Sequence, residues 1–142
     1  TSATGIPCTT ATLALHDALH ALGARRVGLV TPYLGSVQAA ILANLRAEGF
    51  TTAGERHLED PGNYSFADHP AALVTRLVQE VAAEGCDAIA IHCTNFRGLD
   101  AAAALPGVAV LDSVAVALWG AMRAARADPA MVPALGVLSR VG

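Results

Sequence analysis

Lysine is missing from this chain, and every one of its nine basic residues is arginine. That absence excludes a Schiff-base lysine, a pyridoxal-phosphate anchor and a P-loop lysine within it. Charge of either sign is sparse, at 15% of residues with a formal net of −3. The scattered arginines build no basic face for a phosphate backbone, so nucleic acid is not an expected partner. No apolar run approaches the roughly 18 residues needed to span a bilayer, so no membrane partner is expected. The opening Thr1-Ser2-Ala3-Thr4-Gly5 lacks the basic and apolar regions of a secretion signal, and the expected location is cytoplasmic. Cysteine is scarce too: Cys8, Cys86 and Cys93 are too few and too dispersed for a disulfide framework, and no Cys-x-x-Cys pair suggests zinc. No metal and no cofactor are expected, and a cysteine that matters here matters as a thiol.

What the chain has is apolar patterning. It is 54% hydrophobic over 142 residues, enough for one domain with its own core. Leu15, Ala18, Leu19 and Leu22 make a helical stripe that stops at Gly23. Val27 to Thr31 reads as a short buried strand broken by Pro32. A second helix is expected from about Ser36, taken as its N-cap, with Val37, Ile41 and Leu45 on one face and Gly49 at its end. Thr51 to Leu58, with Gly54 and charged Glu55 and Arg56, suits an edge strand. A loop over 59–64 follows, then a helix with Pro70 in its first turn, carrying Leu73, Leu77 and Val81 and closed by Gly85. Ala88-Ile89-Ala90-Ile91 is continuous and apolar, as a strand buried on both faces must be. Val108 to Leu111 is a fourth strand, and Asp112-Ser113 can cap a helix carrying Val114, Leu118, Trp119 and Met122. Residues 1–128 form the expected domain, and the tail over 129–142 yields no element.

Strands alternating with helices point to an α/β fold, a doubly wound sheet of four parallel strands. In the flavodoxin-like order 2-1-3-4, ligands bind outside the carboxyl ends of the first and third strands. Thr31, Pro32 and Tyr33 would then face Cys93, Thr94 and Asn95. Cys93 sits where a buried strand gives way to small polar residues, so its sulfur can meet a ligand while the following N–H groups point at an anion. The alternative is a buried structural cysteine. Cys86 lies at the opposite end of the same strand and reads as structural, and Cys8 reads as packing beside a Thr9 or Thr10 cap. His16 and His20 are spaced i, i+4 but lack a third ligand, which favours a solvated face over a metal. His92 neighbours Cys93 in a strand, so alternation sends the two side chains to opposite faces. Tyr33 and Asn63 can each bind a ligand carboxylate, or serve as an aromatic lid and a turn residue. Arg97 is either a carboxylate ligand or an exposed first-turn arginine.

Three stretches carry a resemblance. They are Gly5-Ile6-Pro7-Cys8-Thr9-Thr10, then Ala21 to Val27 with Val30-Thr31-Pro32-Tyr33, then Cys93-Thr94-Asn95-Phe96-Arg97 with Leu99-Asp100, Ser113 and Trp119. The chain resembles the maleate cis-trans isomerase and arylmalonate decarboxylase branch of the aspartate/glutamate racemase superfamily, up to about Asp128. The resemblance implies one half of a pseudo-symmetric fold of two α/β halves, with the first half and its cysteine outside this sequence and Cys8 no substitute. It places Cys93 on the second-half catalytic cysteine, Tyr33 and Asn63 on substrate-binding positions, and Thr94 and Asn95 on the turn that cradles a carboxylate. It implies cofactor-independent isomerisation or racemisation of a small carboxylate or dicarboxylate through cysteine thiols, by a chain inactive on its own. Arylmalonate decarboxylation and an ectoine-utilisation type of member are the alternatives within the family. A non-catalytic carboxylate-binding module is the alternative outside it. A surface left open by the missing half would favour a homo-oligomer.

Overall fold

A computed structural model describes residues 3–141, so Thr1, Ser2 and Gly142 lie outside the described residues. Four parallel strands form one sheet: β1 (Arg26–Thr31), β2 (Thr51–His57), β3 (Ala88–Ile91) and β4 (Val110–Asp112), in the order β2-β1-β3-β4. Five helices connect or flank them: α1 (Ala11–Ala21), α2 (Gly35–Ala47), α3 (Ala71–Ala82), α4 (Gly98–Ala104) and α5 (Ser113–Ala124). This is the flavodoxin-like arrangement expected from the sequence, with β2 at the edge.

The alternation of side chains along β1 and β3 divides the core into two. Val27 and Leu29, with Ala88 and Ala90, pack with α1, α2 and α5 on one face. Val30, Ile89 and Ile91 pack with α3 and α4 on the other. Register brings Val30 opposite Ile91, so β1 and β3 end level with each other. The two chain segments that follow them, starting at Pro32 and His92, emerge side by side at the sheet's carboxyl edge.

Local chemistry sets most helix ends. Thr10 caps α1, its hydroxyl accepting the Leu13 N–H at 3.1 Å, and Asp112 caps α5 through the Val114 and Ala115 N–H groups at 2.8 and 3.1 Å. Gly23, Gly49 and Gly85 follow α1, α2 and α3 with positive φ, as their helix-stop positions require. Four sequence expectations shift. Ser36 is not the cap of α2, which starts at Gly35 after Leu34 and has no local side-chain cap. Val37 is exposed and Gln38 is buried in its place. Pro70 stands just before α3 rather than inside its first turn. The fourth strand runs over Val110–Asp112, later than the Val108 start.

Residues beyond Pro129, which offer no periodicity to read, fold into two short 3-10 segments, Pro129–Met131 and Pro133–Arg140. Leu135 and Leu138 are buried in the α1–α2–α5 core. Trp119, fully buried on α5, donates its indole N–H to the Val141 carbonyl at 2.9 Å, and the Arg123 guanidinium lies 4.7 Å from its ring centroid. We therefore expect Leu138→Ala to cost about 2–5 kcal/mol in urea denaturation through transfer and cavity terms. Met131→Ala, at a residue 76% exposed, should stay within about 0.5 kcal/mol of the parent.

Candidate active site

The adjacency of β1 and β3 brings Tyr33 to the turn of Cys93, Thr94 and Asn95, whereas Thr31 and Pro32 are buried and the Thr31 hydroxyl donates to Gln38 on the α2 face, opposite the face of Cys93. Cys93 is 5% exposed and packs with Phe66, Phe96 and Ile91 on the α3–α4 face. His92 turns to the other face, where burial and the charge of His16 depress its pKa, so the two neighbours form no dyad. Tyr33 is half-buried, its ring set edge-on to Phe66 at 5.4 Å and its hydroxyl within hydrogen-bond reach of the Cys93 thiol. Burial first, then the Cys93 contact, raise the Tyr33 pKa far above its ordinary value. Its hydroxyl is thus a proton-bearing donor at every physiological pH.

After Cys93 the chain makes a tight turn in which the Phe96 N–H reaches the Cys93 carbonyl at 3.4 Å and the Gly98 N–H the Phe96 carbonyl at 2.7 Å. The N–H groups of Thr94 and Asn95 have no acceptor among the described residues. They are exposed donors beside the sulfur, suited to an anionic oxygen. The Asn95 side chain donates to the Asn63 carbonyl at 2.8 Å, tying the loop after β2 to this turn. Asn63 therefore enters the site through its backbone, and its side-chain amide makes no hydrogen bond among the described residues.

Sequence reasoning missed the residues that hold this loop. Asp60 accepts the Gly62 N–H and the Ser65 hydroxyl on one oxygen and meets His69 Nε2 on the other, each at 2.8 Å. Those hydrogen bonds, led by that from Gly62, hold the Asp60 carboxyl below its usual range. His69 in turn stands edge-on to Phe96 at 5.8 Å. Asp-Pro-Gly is a turn signal, so the Gly62 bond was legible, whereas the His69 partner lies nine residues away and was not.

A cavity of ≈ 380 Å³ adjoins the Cys93 turn, lined by Thr94, Asn95, Arg97, Asp112 and Val114 among others. Asp112 is almost wholly buried, and its Oδ2 accepts no hydrogen bond among the described residues. Gly98 is required here, because a Cβ at that position would collide with this oxygen. Burial raises the Asp112 pKa against the opposing effect of the two cap bonds. A larger apolar cavity of ≈ 450 Å³ lies between the segment around Cys8 and α5, away from the β1–β3 crevice. It has no cluster of ionisable groups. Among the described residues no group of three or more His, Cys, Asp or Glu is placed to hold a metal ion. His16 and His20 lie instead against Phe50, at 6.2 and 4.8 Å between ring centroids. Cys86 is half-buried at the amino end of β3, its thiol 3.7 Å from the Val81 carbonyl.

A family model described as arylmalonate decarboxylase matches residues 1–138. The chain belongs to the arylmalonate decarboxylase family. It is 34% identical over 141 residues to the arylmalonate decarboxylase of Bordetella bronchiseptica, covering 96% of this chain and 59% of that one. It superposes on a maleate isomerase from Pseudomonas putida crystallised with maleate, with a TM-score of 0.87 at 26% identity, over 94% of this chain and 54% of the other. It also superposes on a cysteine-to-serine variant of Nocardia farcinica maleate cis-trans isomerase holding a covalently bound succinylcysteine intermediate. There the TM-score is 0.81 at 30% identity, over 92% of this chain and 54% of the other. The chain thus spans between half and three-fifths of the length of these family members. No described helix is long and apolar enough to cross a membrane.

The buried carboxyl of Asp112 gives a prediction with a definite sign. Its folded pKa is raised, so the fold binds the proton more tightly than the unfolded chain, and this group's contribution to stability falls as pH rises from the ordinary carboxylate pKa to the raised value. Asp112→Asn keeps a cap acceptor and removes the charge. Urea titrations across pH 3 to 8, about the range of interest, should show the Asn variant gaining on the parent as pH rises. Asp112→Ala, which loses the cap, should be less stable than Asp112→Asn by about 1 kcal/mol.

Proposed function

We propose that this chain is one half of a cofactor-independent isomerase acting on a small carboxylate or dicarboxylate through cysteine thiols, with Cys93 as its catalytic cysteine. The observation that carries the reading is the grouping at the carboxyl edge of β1 and β3. A thiol lies against a tyrosine hydroxyl that stays protonated, and two unclaimed backbone N–H groups follow it. Thr94 and Asn95 cradle one substrate carboxylate, Tyr33 donates to the same group or to the sulfur, and Asn63 closes the site from above, while buried Thr31 and Pro32 support Tyr33 from beneath. Donors fixed around a developing enediolate lower the barrier to making a carbanion beside a carboxylate.

In isomerisation, one cysteine thiolate adds to an alkene carbon, and the alkene's π electrons move onto the neighbouring carbon and its carboxylate. A second thiol can protonate that carbon, the central bond, now single, rotates, and reversal of these steps expels the thiolate with the new geometry. In racemisation, the two thiols exchange a proton on opposite faces of one carbon. Both need a pair. The Nocardia farcinica protein supports a pair, since one cysteine is replaced there while another carries the succinyl group. This chain offers one cysteine at the crevice, and its relatives are nearly twice its length. Exposed Leu34, Val37, Tyr64, Leu99 and Val114 all lie on the carboxyl-edge side of the sheet, a face for a second α/β half to cover. Left open, the same face promotes self-association into a homo-oligomer.

The second reading is decarboxylation, favoured by the family match and by the 34% identity to the Bordetella bronchiseptica enzyme. It would use Cys93 alone to protonate an enediolate after loss of carbon dioxide. The Cys93-Thr94-Asn95 turn resembles the isomerase and racemase pattern more than the decarboxylase one, which favours the isomerase reading.

Labelling tests both. Iodoacetamide should alkylate Cys93 ahead of Cys86, and maleate should protect Cys93 while leaving labelling of exposed Cys8 unchanged, as read by peptide mass spectrometry. Tyr33→Phe should weaken that protection by about 1.5–3 kcal/mol, the worth of a hydrogen bond to a charged group. Equal labelling of Cys86 and Cys93, unaltered by maleate, would contradict the proposal.

A further inference from the structure

A closed ring of hydrogen bonds begins and ends on Tyr33. The Tyr33 N–H reaches the Thr31 hydroxyl at 3.3 Å, and that hydroxyl donates to Gln38 Oε1 at 2.7 Å. Gln38, 2% exposed on α2, donates its amide to Glu55 Oε2 at 2.7 Å. The same Glu55 oxygen lies 2.9 Å from His57 Nδ1, and His57 Nε2 lies 2.9 Å from Glu59 Oε1. The Glu59 N–H then donates to the Tyr33 carbonyl at 3.2 Å, and its carboxylate accepts the Gly35 N–H at 3.0 Å. Both backbone groups of Tyr33 are thereby fixed through side chains that do not touch Cys93.

Two features of this ring would each be destabilising alone, and a third depends on them. A glutamine is buried where a helix facing a core ordinarily places an apolar residue. Glu59 adopts φ 54, a left-handed conformation that costs a non-glycine residue free energy. At position 35 a side chain would displace the Glu59 carboxylate, because a Cβ there would come 2.8 Å from Glu59 Oε1 and 3.3 Å from His57 Nε2. The turn at Glu59 and the glycine at 35 let Glu59 reach both His57 and the start of α2, where it replaces the missing local cap, and Gln38 links Thr31 to Glu55.

We propose that Gln38 and His57 are positioning residues for the candidate site, and that protonation of His57 closes the ring that sets the Tyr33 hydroxyl against Cys93. The inference rests on the reading of Tyr33 and Cys93 as the site given above. Both ring nitrogens of His57 face carboxylate oxygens, and only the imidazolium can donate to both. A neutral ring has one N–H, so one contact becomes a lone pair facing an anion and the ring of bonds opens. The charged groups acting on His57 are Glu55 and Glu59, while α2 presents Gly35 and Gln38, and Thr31 of β1 lies opposite it in register. Arg56 instead pairs with Glu80 and Glu84 of α3 at 3.0 and 2.9 Å. The hydrogen bond to Glu55, opposed by partial burial and reinforced by Glu59, raises the His57 pKa above the ordinary histidine value. Burial pushes Glu55 the other way, but its bonds to His57 and Gln38 hold its carboxyl below the usual range. The stabilisation from protonated His57 is therefore complete below the unfolded histidine pKa and is lost as pH rises through the raised folded value.

The test uses the 142-residue chain labelled with nitrogen-15 and followed by NMR over a pH titration. The Tyr33 backbone amide, the Tyr33 ring signals and the Gln38 side-chain amide should all shift with the midpoint of the His57 ring. In His57→Gln that shared shift should be lost. In Gln38→Leu the Tyr33 amide should respond less to the surviving His57 titration, since only the Glu59 arm remains. A Tyr33 amide that stays still while His57 titrates in the parent, or that moves equally in His57→Gln, would overturn the proposal. Failure of maleate to protect Cys93 would remove the carboxylate reading but leave a Tyr33 response to His57 intact, so the two results are separable.

Discussion

The site depends on the burial of β1 and β3 side by side in the middle of the sheet. Both strands are covered by helices on both faces, so their side chains must be apolar until the strand leaves the core. Polar or reactive groups can therefore appear only where the strands leave the core, and at the carboxyl edge they appear together: Tyr33 after one strand, Cys93, Thr94 and Asn95 after the other. Because α2 and α4 leave β1 and β3 for opposite faces, a crevice opens between these two strands. One constraint of packing thus places a thiol beside a phenol and two free N–H donors.

Around that crevice, polar chemistry does the fine placement. One network, centred on Asp60, holds the loop of Asn63 through Gly62, Ser65 and His69. A second runs through Gln38, Glu55, His57 and Glu59 and fixes Tyr33. Both use histidine against carboxylate, and both act on loops rather than on the strands. The strands supply rigidity and the loops supply the groups that would touch a ligand, a division common to α/β folds.

The strands were legible in the sequence because β1 and β3 are continuous apolar runs, and the edge position of β2 because Glu55 and Arg56 cannot be buried on a central strand. The caps at Thr10 and Asp112 were legible because they act on N–H groups two or three residues away. The start of α2 was not, because the acceptor for Gly35 comes from Glu59, 24 residues later. The same long-range network hid the burial of Gln38, and Val37, taken for core, is exposed. The segment after Pro129 escaped notice because 3-10 turns give no apolar period, although Leu135 and Leu138 complete the core. The residues proposed for the site were legible from their place at strand ends and from the family resemblance. The geometry of Asn63, which meets Asn95 through its carbonyl, was visible only in the folded chain.

The central claim is that small carboxylates bind at the β1–β3 carboxyl edge. Chemical-shift mapping of the nitrogen-15-labelled chain with saturating maleate tests it most directly. The largest shifts should fall on Thr94, Asn95 and Tyr33, extending to the loop of Asn63. Shifts confined to the apolar cavity around Cys8, Ala117 and Ala121, or no shifts at all, would contradict it.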